Sequence, residues 1–167
     1  ASPERAHLGL AGRLMLVLSN ADVERLLPMP DCVAALDALY REMSSGEALS
    51  RQRSDLVIPH AGGDGRMYCL KSMDGVSPAA GVSAVRINSD VVSWPTVGGS
   101  IRRVKVPAAP GERWVGLVLL FSTTTGEPLA ILPDGQLQRM RVGGTGALAV
   151  KYLARADAHV VAILGSG

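Results

Sequence analysis

Cysteine is scarce: the 167 residues hold two, Cys32 and Cys69. Neither belongs to a C-x-x-C pair or has a histidine at ligand spacing, so the usual zinc patterns are excluded and packed, reduced thiols are expected. We expect no metal. Excess charge is also scarce: charged residues make up 19% of the chain and the net charge is only +2. A nucleic-acid binder concentrates basic residues on one face. The short clusters Arg102-Arg103-Lys105 and Arg139-Arg141 read instead as solvated surface. No apolar run approaches the roughly 18 residues a membrane helix needs. Residues 8–18 are apolar but too short, and Arg13 interrupts them. The chain shows no secretory cleavage pattern, no repeat and no low-complexity tract, and a cytoplasmic location is expected. The three histidines, His7, His60 and His159, have no Ser or Cys partner at recognisable spacing. They read as surface or packed residues.

What is present is apolar: 47% of the chain, enough for one domain with a good core and too much for disorder. Residues 1–14 read as a loose leader. A short strand is expected at 15–18. Ser19 with Asp22 three residues on has capping-box spacing, and predicts a helix over 20–27. Pro30 suits a first helical turn. From there Val33, Leu36, Leu39, Tyr40 and Met43 make one apolar stripe over a helix at 31–43, ended by Ser44-Ser45-Gly46. The middle is β-rich, with strands expected at 55–59, 67–73 and 81–87. Residues 60–65 form a turn, and Asp74-Gly75 is a turn signal. Residues 88–113 carry proline and glycine with little periodicity and read as a long loop. Residues 114–122 are the most apolar stretch and predict a central strand, followed by a turn at 123–128 and a short strand at 129–132. Ser122-Thr123-Thr124-Thr125 lacks a phosphate-loop glycine pattern and reads as strand end and turn.

From Gln136 the chain reads as an arginine-bearing helix, a polar break at Arg155-Ala156-Asp157, and an apolar strand over 159–164. That strand runs into Gly165-Ser166-Gly167. A buried strand emptying into Gly-x-Gly is how a dinucleotide-binding βαβ unit begins. The fold class expected is therefore an α+β domain with mainly antiparallel strands over 15–156. The first strand of a doubly wound α/β (Rossmann) domain follows at 157–167.

Arg53, Lys71 and Arg141 are the candidates for anion recognition, because a fixed cation on a regular element is a natural carboxylate ligand. Lys71 stands between Leu70 and Ser72 in an otherwise apolar strand. It reads either as a solvent-facing residue of an alternating strand or as a buried lysine that needs a partner. Gly143, Gly144 and Gly146 weaken a helix by about 1 kcal/mol each relative to alanine. They read either as room for a ligand or as close packing of a neighbouring helix.

The segments YCLKSMDG (68–75), TGEPLAIL (125–132), QLQRMRVGGTGALAVKYLAR (136–155) and VVAILGSG (160–167) resemble the ornithine cyclodeaminase/mu-crystallin family. The resemblance implies an NAD- or NADP-dependent homodimer in which a substrate-binding, dimer-forming domain precedes a Rossmann domain. It implies an amino-acid or imino-acid substrate and hydride removal from the α-carbon to give an imine, as in the cyclodeaminases. Dehydrogenases, ketimine reductases and non-catalytic mu-crystallin-like proteins share that scaffold. By position, Arg53, Lys71 and Arg141 match the family's substrate-carboxylate residues, and Gly165, Ser166 and Gly167 match the start of the pyrophosphate loop. The family's catalytic aspartate lies beyond residue 167, so these residues alone are expected to be inactive. Departures are Val142 for a threonine, Gly143 and Gly144 for alanines, Ser83 for a lysine, and Arg86 for a small residue. Arg86 in the pocket would suit a second acidic group on the ligand.

Overall fold

The computed structural model describes residues 7–10, 13–106 and 116–164. In chain order the elements are β1 (His7–Leu10), β2 (Arg13–Val17), α1 (Asn20–Leu26), α2 (Met29–Ser45), β3 (Leu49–Ser50), β4 (Ser54–Pro59), β5 (Met67–Ser77) and β6 (Val82–Ser93). They continue with β7 (Thr96–Val97), β8 (Ser100–Ile101), β9 (Val104–Val106), β10 (Gly116–Ser122), β11 (Pro128–Pro133) and α3 (Asp134–Leu153).

One mixed sheet dominates, in the order β1-β2-β11-β10-β6-β5-β3, with β4 also on β5 and β9 also on β6. Every pairing is antiparallel except that of β11 with β2. Side chains alternate across a sheet. On one face Val118, Ala130 and Leu132 close over Val23 of α1, with Ala84, Leu120 and Leu137 of α3 packed alongside. The core therefore lies under α1 and α3, on the β10–β11 half of the sheet.

The helices begin and end for local reasons. Ser19 Oγ accepts from the Asp22 amide at 3.1 Å while Asp22 Oδ2 accepts from the Ser19 amide at 3.0 Å, so the capping box at α1 is formed. Pro30 lies in the first turn of α2, and Gly46 closes that helix at φ 80°. Gly144 settles the question of the helix glycines at its own position. A Cβ there would stand 2.7 Å from Leu36 Cδ1 and 3.5 Å from Cys32 Sγ. Close packing of α3 on α2 is the reason for it, not space for a ligand. Gly144→Val should cost about 1–3 kcal/mol by overpacking, whereas Gly146→Ala, with nothing within 4 Å of the added carbon, should be neutral or stabilising. Urea denaturation of both checks this; equal midpoints would contradict it.

Four sequence expectations change. His7–Leu10 is not leader but a strand, held by the backbone ladder to β2 from His7↔Leu16 to Leu10↔Arg13. Asp74-Gly75 is not a turn: both residues pair across to Val85 and Ala84 within β5. The real reversal is at Gly81, φ 68°, whose amide reaches Pro78 O at 3.0 Å. Gly75 instead gives room to β3, since a Cβ there would meet Leu49 O at 3.1 Å. The expected long loop is largely strand: β6 continues to Ser93, a β7–β8 hairpin turns at Gly98-Gly99, and β9 returns along β6. Residues 107–115 lie outside the described residues.

Finally, residues 159–164 form no strand. A strand needs a neighbour to complete its hydrogen bonds, and no described strand pairs with this segment. Val160, Ile163 and Leu164 are 87%, 83% and 99% exposed. Gly165-Ser166-Gly167 lies outside the described residues.

Candidate functional site

The helix-bearing face of the sheet is mostly apolar over β10 and β11. Along β6 and β5 the same face turns polar. Register sets Val118 beside Arg86, Gly116 beside Asn88 and Asn88 beside Lys71. On the far side, Lys71 is opposite Asp55 of β4. With Asp90 two residues beyond Asn88, a row of charged and polar side chains continues the core layer: Asp55, Lys71, Asn88, Asp90 and Arg86.

Lys71 is 8% exposed, so the solvent-facing alternative does not hold. Its Nζ donates to Asp90 Oδ2. Asp90 is 2% exposed and also holds Lys105 Nζ of β9, at 3.1 Å on Oδ1. Burial pushes the Asp90 carboxyl up, but hydrogen bonds from Lys71 and Lys105 and their charges outweigh it, and the carboxyl is held below its ordinary value.

Arg86 is fully engaged by the protein. Its Nε donates to Asp134 Oδ2 at 2.7 Å, its Nη2 to Gln138 Oε1 at 2.8 Å, and its Nη1 points at Met73 Sδ at 3.2 Å. Asp134 opens α3, where a carboxylate suits the helix dipole, and it also accepts from Asn88 Nδ2 at 3.3 Å. Gly116 makes that possible: a Cβ there would come within 2.8 Å of Ile87 O and clash with the Asn88 amide. Arg86 thus ties α3 to the sheet. That occupation argues against the expected role in holding a second acidic group of a ligand.

Arg53 precedes β4 and is half exposed. It forks onto Asp55, Nε to Oδ1 at 2.7 Å and Nη2 to Oδ2 at 2.8 Å, one register position from Lys71. Arg141 lies on α3 three residues after Gln138 and seven after Asp134, which is the helix stripe that starts at the sheet. Its side chain is exposed and, among the described residues, has no ion-pair or hydrogen-bond partner. The structure thus brings Arg53, Lys71 and Arg86 to one sheet face and leaves Arg141 further along the helix that covers it. On the sheet face four cations, Arg53, Lys71, Arg86 and Lys105, meet three carboxylates, Asp55, Asp90 and Asp134. Each cation has a carboxylate partner, and the group carries a net charge of +1.

Asp90 and Asp134 were not singled out from the sequence, and Lys105, expected as solvated surface, instead pairs with buried Asp90. The available signal was the alternation Arg86-x-Asn88-x-Asp90-x-Val92, whose inward positions are polar and so look like loop.

A second cluster clamps α3 to α2. Asp37 accepts from Lys151 Nζ at 2.8 Å and from Tyr152 Oη at 2.7 Å, while Arg41 Nη2 reaches Tyr152 Oη at 2.7 Å. Hydrogen bonds from Lys151 and then Tyr152 lower the Asp37 pKa from 3.8 to about 2. A carboxyl lowered in the folded state stabilises above its ordinary value and loses that contribution as pH falls through about 2. Carbon-detected NMR should therefore find Asp37 titrating near 2, and moving up in Tyr152→Phe; an ordinary midpoint in both would contradict the clamp. The nearby groove of about 730 Å³, lined by Met29, Val33, Asp37 and Arg41 among others, is open and carries none of the residues of the polar row.

Among the described residues no group of three or more His, Cys, Asp or Glu could hold a metal ion, and no helix is long and apolar enough to cross a membrane. The described segment leading to Gly165 is unpaired and exposed.

The mostly antiparallel mixed sheet with helices on one face is a fold shared with solved structures. An archaeal alanine dehydrogenase, solved as a dimer with bound NAD, superposes with a TM-score of 0.62 at 23% identity, covering 86% of this chain and 38% of that one. The chain belongs to the ornithine cyclodeaminase/mu-crystallin family, which it matches over residues 14–167. It is 29% identical over 152 residues to an NAD(P)H-dependent anabolic L-arginine dehydrogenase of Pseudomonas aeruginosa, covering 91% of this chain and 42% of the relative. It is 27% identical over 154 residues to a delta(1)-pyrroline-2-carboxylate reductase of Bacillus cereus, covering 92% of this chain and 42% of the relative. The chain thus spans less than half the length of these relatives.

Proposed function

We propose that this chain is the substrate-binding and dimer-forming part of an NAD- or NADP-dependent enzyme that exchanges a hydride at the α-carbon of an amino acid or its imine. The observation that carries the reading is Lys71, buried on a sheet face where cations outnumber carboxylates by one. Burying a cation in such a network is costly unless it is paired, and the net positive charge suits one carboxylate. In this reading Lys71 holds the substrate carboxylate, with Arg53 and Arg141 as further cations of the pocket and Arg86 holding α3 in place. Residues 15–156 form the substrate domain. Residues 157–167 lead into the dinucleotide domain, with Gly165, Ser166 and Gly167 opening its phosphate loop.

The relatives' activities favour a dehydrogenase or imine reductase over a cyclodeaminase. The two differ in cofactor balance. With delta(1)-pyrroline-2-carboxylate, the intact enzyme should oxidise NADH or NADPH one for one. Ammonia release from ornithine with no net change in the cofactor would select the cyclodeaminase instead.

The far face of the sheet supports a homodimer. Leu56, Ile58 and Leu117 are 64%, 58% and 42% exposed there, beside Leu70, Ile87 and Leu119. A contiguous apolar sheet face needs cover, and a second copy of the same surface would supply it. Sedimentation of the intact protein as a monomer would contradict this.

A further inference from the structure

Asp90 is the more buried member of its ion pair with Lys71. It stands on β6 directly across from Cys69 and one diagonal step from Lys71. It is the acceptor for two ammonium groups at once, Lys71 on Oδ2 and Lys105 on Oδ1. These lysines arrive from different strands, β5 and β9, on either side of β6. An ammonium on four flexible methylenes has no preferred direction of its own. A buried, immobile carboxylate gives it one. With one Lys71 donor taken by Asp90, two of its three remain, and Lys105 keeps the local charge positive.

We propose that Asp90 is the positioning residue of the carboxylate site: through its joint grip on Lys71 and Lys105 it fixes the Lys71 ammonium and leaves a net positive charge for the carboxylate of an amino or imino acid. The inference rests on the function proposed above. Asp90 itself does not touch the ligand; it acts through Lys71.

The test uses the intact enzyme, this chain together with its dinucleotide-binding part. Binding of L-proline, L-arginine and L-alanine is measured by calorimetry, and the tightest of the three is carried forward. Asp90→Asn keeps the volume and one acceptor but removes the charge. It should weaken binding by about 10- to 100-fold, as loss of a charge-assisted hydrogen bond to a ligand does, with kcat changed far less than KM. In ¹³C-lysine spectra the Lys71 Cε signal should move as well. Because loss of a buried carboxylate can unfold a chain, Asp90→Glu is measured beside it. That variant keeps the charge one methylene further out, and should stay folded with binding weakened about 10-fold, as weakening of a charge-assisted hydrogen bond does. Asp90→Glu with wild-type affinity and an unmoved Lys71 signal would overturn the inference. Lys71→Met separates the two levels. If Lys71→Met binds normally, or none of the three amino acids binds the wild type, the carboxylate-site reading itself fails. If Lys71→Met is defective while both Asp90 variants bind normally, only the role of Asp90 fails.

Discussion

Lys71→Met is expected to weaken binding of the amino-acid substrate by about 10- to 150-fold. Hydrogen bonds to charged groups contribute about 1.5–3 kcal/mol, and each 1.4 kcal/mol is about tenfold in Kd. Methionine has a similar length and packs well in irregular interiors, so the apolar stem of Lys71 between β4 and β6 is replaced. What is lost is the ammonium. Asp90 keeps Lys105 as a partner in the variant, at 3.1 Å in the present geometry. The buried carboxylate is therefore not orphaned, and the fold should survive with a modest loss of stability. A weakened Kd with a cooperative thermal transition is the expected result. A fully folded variant with unchanged Kd would remove Lys71 from the site.

Asp134→Ala should produce the largest loss of stability. Arg86 would keep only Gln138 as a polar anchor, and Asn88 would lose its 3.3 Å acceptor. Removing one partner of a buried ion pair costs about 3–5 kcal/mol, because the other charge stays behind unpaired. For a domain of this size that is roughly 6–20 °C in Tm. The double variant Arg86→Met/Asp134→Leu removes both charges and should recover much of that loss, since well-packed apolar replacements of buried ion pairs are often close to neutral. Differential scanning calorimetry of the single and double variants measures the coupling. If the double variant is as unstable as the sum of Arg86→Met and Asp134→Leu alone, the pair is not the tie between α3 and the sheet.

Much of this fold was legible because its signals are local. The Ser19–Asp22 capping box, the stripe of α2 ended by Gly46, and the apolar β10 all stand where their residues predict. Legibility failed where the inward face of a strand is polar. The second half of β6 carries Asn88 and Asp90 toward the interior, so its alternation resembles loop. Gly75 was misread because a glycine that makes room for a neighbouring strand looks the same in sequence as one that makes a turn. At the site, Lys71 could be noticed as a cation in an apolar strand, but its partner Asp90 lies 19 positions further on, and the second lysine on that carboxylate, Lys105, 34. Pairings at that separation are set by strand register and leave no local mark. Arg86 was noticed, but its bond to Asp134, 48 positions on at the start of α3, leaves no local mark either. The apolar segment at 159–164 carries a strand signal, yet propensity alone does not make a strand without a neighbour.

The central claim is that the polar row on the sheet seats a carboxylate at Lys71. A crystal structure of the intact enzyme with L-proline tests it most directly. The account predicts the proline carboxylate within hydrogen-bond reach of Lys71 Nζ, about 2.7–3.2 Å, with Asp90 still holding that lysine from behind. A carboxylate seated elsewhere, with the Lys71–Asp90 pair closed and remote from it, would contradict the account.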